Sequence, residues 1–254
     1  MSAARISLHF DGAVAHLQLC RPEKLNALDG DMVAALMPLC REIEQSQARV
    51  VILTGEGKAF CAGGDIAGWS NLAPDDFGRR WLRDGHQAFD ALARLRQPLI
   101  AVLNGACLGG GLELAACADL RIAEAQATFG LPETGLGVIP GWSGTQRASR
   151  RFGAQLVRRM ALLGEVFTAD QALALGLVDQ VAPRGQGMAA ALEVAARVAA
   201  RSPRATEITK ILINAATGED RERGIEALAG ALVAGSDDLA EGLSAYRAKR
   251  QPQF

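Results

Sequence analysis

The feature that most constrains the fold is a pair of apolar runs, each followed closely by a glycine-rich loop. "RVVILTG" covers residues 49–55, and "PLIAVLNG" covers residues 98–105. Neither run alternates with polar residues, which is typical of strands buried on both faces of a parallel sheet. The loops "CAGGD" and "LGGGLE" then lead into helix-like segments. Strand, loop and helix alternate, and this order predicts an α/β fold.

The N-terminal part adds a hairpin and a helix to this pattern. "RISLHF" and "AVAHLQL" are alternating runs around Asp11-Gly12, which is a strong hairpin signal. Apolar spacing predicts a helix over residues 29–47, with Asp29 as its N-cap. Further helices are expected over residues 75–96 and from about Gln146.

The C-terminal part has a different pattern, because helical periodicity continues there without intervening strands. Four helices are expected, at 189–201, 204–216, 221–233 and 237–249. We therefore divide the chain near residue 195, into a core of residues 1–195 and a helical segment of residues 196–254.

Composition excludes several classes of function. The chain has 254 residues, 49% of them hydrophobic, and a formal net charge of -1. This balance gives no reason to expect nucleic acid or a membrane surface as a partner. There is no apolar signal core at the N-terminus and no uninterrupted apolar run of about 18 residues. A cytoplasmic protein is expected.

The cysteines and histidines indicate neither a metal site nor a nucleophile. There are five cysteines without a C-x-x-C pair (Cys20, Cys40, Cys61, Cys107 and Cys117). They are expected to be small buried side chains, so no metal is predicted. The three histidines (His9, His16 and His86) lie away from the glycine-rich segments along the sequence. A Ser-His-Asp or Cys-His nucleophile is therefore not expected.

The two glycine-rich loops have two possible roles. If the strands before them share one parallel sheet, both loops lie at its C-terminal edge, where ligands of α/β folds bind. Two backbone N–H groups then converge, as an acyl oxygen requires when it becomes an enolate or a tetrahedral anion. The alternative is that the glycines only let the chain turn.

Two glutamates accompany these loops. Glu113 belongs to the first turn of the helix that "GGG" opens, among apolar neighbours. Its alternative role is to stabilise the helix dipole. Glu133 follows Pro132 in "FGLPETGLG" and would, taken alone, be an exposed loop acid. Two carboxylates that hold one water can act as acid and base.

Four segments together resemble the crotonase superfamily, the enoyl-CoA hydratase/isomerase family. They are "AFCAGGDI", "NGACLGGGLELAACADLRIA", "FGLPETGLGVIPGWSGTQR" and "ALALGLVDQVAP", and the resemblance covers roughly residues 5–215. It implies a spiral of ββα units with a helical C-terminal oligomerisation segment, assembled as trimers or hexamers. It also implies reversible hydration of a 2-enoyl-CoA, with the coenzyme A thioester as substrate and no separate cofactor.

The resemblance also implies roles for particular residues. Ala62 and Gly110 match the two oxyanion-hole donors. Glu113 would activate the water that attacks C3 and Glu133 would protonate C2, although the roles could be shared or exchanged. Substrate and coenzyme A binding is assigned to eight residues: Lys24, Ala62, Gly63, Gly64, Asp65, Ile66, Gly141 and Trp142. Of these, Asp65 is expected chiefly to cap the helix that follows it.

Both glutamates are present, which favours hydration over the alternatives in the same fold. These are an enoyl-CoA delta-isomerase and a non-catalytic acyl-CoA-binding member. Position 142 is often small in similar hydratases, so Trp142 is expected to shorten the acyl pocket, with Trp69 narrowing it further. The alternative is that the Trp142 indole turns away into subunit packing.

Overall fold

Two sheets form the centre of the computed structural model, which describes residues 5–254 apart from the side chains of 221–223 and 225. Residues 1–4 of the predicted core lie outside the described residues. The larger sheet has the order β1-β2-β3-β5-β7-β10 and the smaller one β4-β6-β8-β9. The strands are β1 (Ile6–Asp11), β2 (Val14–Leu19), β3 (Val50–Gly55), β4 (Ala59–Cys61), β5 (Leu99–Leu103), β6 (Ala106–Leu108), β7 (Leu120–Glu124), β8 (Thr128–Gly130), β9 (Phe167–Thr168) and β10 (Gln180–Ala182).

Helices surround these sheets and also make up the C-terminal part. They are α1 (Gly30–Gln45), α2 (Ile66–Trp69), α3 (Pro74–Asp76), α4 (Arg83–Ala93), α5 (Gly110–Ala115), α6 (Arg147–Phe152), α7 (Ala154–Leu163), α8 (Ala169–Ala174), α9 (Gly187–Ala199), α10 (Pro203–Ala216), α11 (Arg221–Ala234) and α12 (Asp237–Ala248). A π-helical turn at Phe77–Leu82 joins α3 to α4, and 3₁₀ turns occupy Pro22–Lys24 and Glu133–Leu136.

The strand predictions are confirmed, with one correction. β1 and β2 form the expected antiparallel hairpin, and β3 pairs in parallel with β5. Every residue of β3 and β5 is buried. The glycine loops do not follow these strands directly, however, because the three-residue strands β4 and β6 intervene. β4 and β6 pair in parallel in the second sheet, so two strands precede each glycine loop, as in the expected ββα spiral.

The helix predictions hold with local differences. α1 begins after Asp29, whose Oδ1 accepts a hydrogen bond from the Met32 N–H at 2.9 Å. The helix expected over 75–96 is α3, the π-helical turn and α4 in succession. The helix expected from Gln146 is divided into α6 and α7 at Gly153, whose φ of 90° does not suit an α-helix.

The C-terminal helices α9 to α12 match the four expected ones closely. The predicted boundary at residue 195 falls inside α9, whose Ala191 and Ala195 pack with Val50 and Ile100 of the large sheet. α9 therefore packs on the large sheet, and the division of the chain near residue 195 stays a prediction. No described helix is long and apolar enough to cross a membrane.

A buried charge cluster ties the end of α10 to the core. The Arg147 side chain is 1% exposed and donates from Nε to Glu219 Oε1 at 2.9 Å and from Nη2 to Asp90 Oδ1 at 2.5 Å. Arg150 donates to the other Glu219 oxygen at 3.0 Å. Since a buried charge is costly without partners, this cluster fixes α6 against both α4 and the turn after α10.

Candidate active site

A cavity of about 100 Å³ opens between the two glycine loops. Most of the predicted site residues line it: Ala62, Gly63, Gly64, Ile66, Gly110, Glu113, Glu133, Gly141 and Trp142. Lys24 and Asp65 are not among its lining residues. The structure therefore brings both glutamates and both loops to one place.

Glu113 is held by the loop that follows Pro140. It is 3% exposed, and its Oε1 accepts hydrogen bonds from the N–H groups of Trp142 at 2.7 Å and Gly144 at 2.6 Å. A Cβ added at Gly144 would lie only 2.6 Å from the same oxygen, so this position needs a glycine. The two donors fix the carboxyl group in one orientation.

The environment of Glu113 favours its protonated form. Burial, and then the charge of Glu133, raise the pKa of Glu113 to about 8. The two backbone donors and the more distant Arg147 oppose this rise without cancelling it.

Glu133 is the second carboxyl that lines the cavity. It begins a 3₁₀ turn, and a Cβ added at Gly109 would lie 2.8 Å from its Oε1. Its Oε2 is buried and has no hydrogen-bond partner within the described part of the chain. Burial raises the pKa of Glu133 to about 7. A buried carboxyl oxygen without a partner is costly, which favours binding of water or substrate beside it.

The oxyanion-donor prediction needs one correction. The Ala62 N–H donates to the Leu25 carbonyl at 3.0 Å, so it is already engaged. Among the described residues, no acceptor binds the N–H of Gly64 or of Gly110. These two groups are neighbours, since a Cβ added at Gly110 would lie 3.3 Å from the Gly64 nitrogen. Gly64 and Gly110 therefore present adjacent N–H groups that are not engaged within the described fold, whereas Ala62 does not.

Glycine is required in these loops for close approach. Gly63 has φ 109° and Gly109 has φ 52°, in the left-handed region that other residues rarely adopt. A Cβ at Gly111 would lie 2.8 Å from the Cβ of Cys61 and would overlap the backbone beside it. Cys61 and Cys107 are buried here, as expected, and burial raises the pKa of both thiols.

Asp65 has the capping role that the sequence predicted. Its Oδ1 accepts from the Ala67 N–H at 3.1 Å, and its other oxygen pairs with Arg21 at 2.7 Å. Burial raises the pKa of Asp65, but these bonds and the nearby charges of Arg21 and Lys24 outweigh burial and lower it. Lys24 is exposed, and its charge acts on Asp65, next to the cavity residues Gly64 and Ile66.

The structure also brings together a pair that sequence reasoning missed. Ser143 Oγ lies 3.3 Å from the ring nitrogens of His86, and His86 Nε2 is 3.9 Å from Asp90 Oδ1. His86 is distant from the glycine-rich segments along the sequence, and the fold brings it next to Ser143. The i,i+4 spacing of His86 and Asp90 was visible in the sequence, but the approach of Ser143 depends on tertiary packing. Ser143 does not line the cavity, so the pair is not placed as a nucleophile.

Trp142 faces the cavity rather than turning away from it. Its indole Nε1 donates to the Trp81 carbonyl at 3.0 Å, and its ring centroid lies 4.8 Å from that of Trp81. Trp69 lines the same cavity. The backbone of Trp142 thus holds a carboxyl while its side chain forms part of the wall.

Comparison with known proteins identifies the family. The family model described as enoyl-CoA hydratase/isomerase matches residues 9–254. The chain belongs to this family, within the crotonase superfamily.

Individual relatives are similar over most of their length. A crotonyl-CoA hydratase from Syntrophomonas wolfei is 34% identical, with 100% of this chain and 99% of the relative covered. A short-chain-enoyl-CoA hydratase from Clostridium acetobutylicum is 38% identical over 84% of this chain and 82% of the relative. The crystal structure of an enoyl-CoA hydratase from Bacillus anthracis is 33% identical, with a TM-score of 0.81 and 99% of each chain covered. The crotonase-like spiral is thus the observed fold.

Proposed function

We propose that this chain is an enoyl-CoA hydratase, which adds water reversibly to a 2-enoyl-CoA and gives the 3-hydroxyacyl-CoA. The observation that carries the proposal is the placement of two buried carboxyls, Glu113 and Glu133, on one cavity beside two unengaged backbone donors. The raised pKa values allow one carboxyl to be protonated while the other is ionised near neutral pH.

The reaction follows from these positions. The N–H groups of Gly64 and Gly110 bind the thioester oxygen and stabilise the negative charge that it gains as the enolate forms. The higher pKa of Glu113 keeps the one proton of the pair mainly on Glu113, which reverses the assignment that the resemblance implies. Ionised Glu133 accepts a proton from water while the water oxygen bonds to C3. Protonated Glu113 then donates its proton to C2, so the product gains one water and the pair exchanges which member is protonated. The two glutamates can exchange roles, because each lines the cavity.

Binding of the coenzyme A part is proposed at the mouth of the cavity. The exposed ammonium of Lys24 suits a phosphate group of the nucleotide. The first glycine-rich loop lines the cavity with the backbone of Gly63 and Gly64 and with the apolar side chain of Ile66. Asp65 holds this loop in place through its bonds to Arg21 and Ala67. Catalysis in this proposal uses the thioester substrate without a further cofactor.

The protein is further proposed to be cytoplasmic and to assemble as a trimer, or as a hexamer of two trimers. The observation that supports assembly is the apolar surface left on the C-terminal helices. Leu232 is 79% exposed and Tyr246 is 82% exposed. A second copy of the chain is the proposed partner for these side chains.

The central test is replacement of each glutamate by its amide. Glu113→Gln and Glu133→Gln are each expected to lower kcat by at least about 10²-fold, since general acid–base groups contribute on that scale. The amide that Glu113→Gln introduces keeps an acceptor oxygen for the two backbone donors, so binding of a saturated acyl-CoA should be nearly unchanged. The measurement is loss of the enoyl thioester absorbance, combined with the mass gain of one water.

The same assay distinguishes the alternatives. Movement of the double bond without a mass gain would indicate an isomerase. Binding of the acyl-CoA without any reaction would indicate a non-catalytic member. Hydration at near wild-type rates by either amide variant would contradict the assignment of the two carboxyls.

A further inference from the structure

The Trp142 indole sits in a space that a glycine of α4 provides. A Cβ added at Gly85 would overlap the pyrrole part of the indole, at Nε1, Cε2 and Cδ1. Gly85 is buried and does not itself line the cavity. The absence of a side chain at residue 85 is therefore what allows the ring to lie against α4.

The six-membered ring of the indole lies against the two glycine-rich loops. A Cβ at Gly110 would lie 3.0 Å from the six-membered ring of Trp142, and a Cβ at Gly64 would lie 3.4 Å from it. Phe89 contacts the indole edge-on, with ring centroids 5.3 Å apart. Gly64 and Gly110, which the ring contacts, both line the cavity, so we expect a methyl group at residue 85 to displace the ring toward the cavity.

The π-helical turn supplies the adjoining wall. Phe77, Trp81 and Leu82 of this turn all line the cavity. A Cβ at Gly141 would overlap Leu82, so the turn and the loop before Trp142 fit into one another. π-Turns place side chains out of α-helical register and are frequent at functional sites. Trp81 and Trp142 are joined by the indole N–H bond to the Trp81 carbonyl.

We propose that Gly85 is a specificity-determining residue, which sets the depth of the acyl pocket by seating the Trp142 indole and so restricts the substrate to short acyl chains. The inference rests on the proposed hydratase function. The cavity of about 100 Å³ is small beside the roughly 300–1,000 Å³ of drug-sized pockets, which suits a short acyl group.

The test compares five proteins: wild type, Gly85→Ala, Trp142→Ala, the Gly85→Ala/Trp142→Ala double variant, and Gly78→Ala. Gly78 is the matched control, because it lies in the neighbouring π-turn and a Cβ there would meet nothing within 4 Å. For each protein, kcat/KM is measured on 2-enoyl-CoA substrates of four, eight and twelve carbons. Calorimetry with saturated acyl-CoA of the same lengths gives a readout that does not require turnover.

Gly85→Ala is expected to lower kcat/KM for all lengths and to steepen the decline between four and eight carbons by at least about tenfold, since each methylene in an apolar pocket matters on that scale. Trp142→Ala is expected to raise the relative activity on long chains. The double variant should have the same length profile as Trp142→Ala, and Gly78→Ala the same profile as wild type.

Several outcomes would overturn the inference. One is that Gly85→Ala has the same dependence of kcat/KM on chain length as wild type. Another is that Gly85→Ala changes this dependence equally in the wild-type and Trp142→Ala backgrounds. If Gly85→Ala fails to fold but the double variant folds, the result supports the proposal that residue 85 must leave space for the Trp142 indole. Failure of both variants to fold contradicts the proposal. A wild-type protein that binds short acyl-CoA by calorimetry but hydrates none of the substrates would refute the proposed function while leaving the pocket depth measurable.

Discussion

At the scale of single residues, the site depends on two carboxyls with different surroundings. Glu113 accepts two backbone hydrogen bonds, whereas one oxygen of Glu133 has no partner among the described residues. The charge of Glu133 helps to raise the pKa of Glu113 to about 8, so the ionisation of one group affects that of the other. A bell-shaped dependence of kcat on pH follows from a mechanism that needs one proton on the pair.

The raised pKa of Glu113 also has a consequence for stability. A carboxyl with a folded-state pKa above its unfolded value of 4.5 costs nothing at low pH, and it destabilises the fold increasingly as pH rises toward about 8. Glu113→Gln removes this ionisation. The thermal midpoint of the wild type is therefore expected to fall more between about pH 5 and pH 9 than that of Glu113→Gln.

The stability measurement has a matched control in α9. Glu193 is exposed, so Glu193→Gln should follow the wild-type curve. Parallel curves for wild type and Glu113→Gln over this range would show that the pKa of Glu113 is not raised in the folded protein, because its ionisation would then add no pH dependence to stability.

Part of the site could be predicted from sequence. Ala62 shows what could not: which backbone N–H of the first glycine loop is left without an acceptor. The glutamates and the glycine loops are local motifs, so Glu113, Glu133 and Gly110 were identified without coordinates. Which N–H of the first loop remains unengaged depends on the Leu25 carbonyl, which is 37 residues away in sequence and engages Ala62 at 3.0 Å. Only the folded backbone shows that Gly64 is the available donor.

At the scale of elements, the first residue of α5 supplies a proposed oxyanion donor, the backbone N–H of Gly110. Gly110 is the first residue of α5, where proline is tolerated because the first N–H of a helix has no intrahelical acceptor. Gly110→Pro removes that N–H, whereas Gly110→Ala keeps it and adds a similar Cβ against Trp142. Gly110→Pro is expected to have a kcat about 10²–10³-fold below that of Gly110→Ala.

The comparison of these two variants isolates the hydrogen bond from the steric effect. Circular dichroism and calorimetric binding of a saturated acyl-CoA confirm that both are folded. Equal kcat values in two folded variants would place the oxyanion donor somewhere other than Gly110.

Elements with strong periodicity were predictable, and the short ones were not. α1, β3 and α10 have the expected type because their apolar patterns extend over one or more full repeats. β4 and β6 have three residues each, too few for a pattern, and they are strands because each pairs with a neighbour in the second sheet. The π-turn at 77–82 has the same apolar spacing as an α-helix over so short a stretch, so sequence alone predicted continuous helix.

At the scale of the whole molecule, the C-terminal helices leave an apolar surface that the core does not cover. The exposed apolar side chains there include Leu212, Ile213, Leu232, Val233, Leu243 and Tyr246. Large exposed apolar surfaces generally mark interfaces between proteins. Light scattering is expected to give about 80 kDa, or twice that mass, for three or six chains of 26.7 kDa.

The assembly prediction can be checked with a surface change. Leu232→Glu should weaken assembly, because it places a charge on the proposed interface, while Glu193→Gln on the core should not. A wild-type mass equal to a single chain across working concentrations would contradict the proposed trimer.

The buried Arg147 cluster has a consequence for how the protein is made. Glu219 follows Arg147 by 72 positions, so it leaves the ribosome well after the glycine loops and both catalytic residues. Before Glu219 is made, the Arg147 guanidinium can bind Asp90 but not the carboxylate that accepts from its Nε. In that state α6 can be tied to α4 but not to the turn after α10. The loop that holds Glu113 comes just before Arg147, so we expect this loop to be fixed in place only after residue 219 has been synthesised.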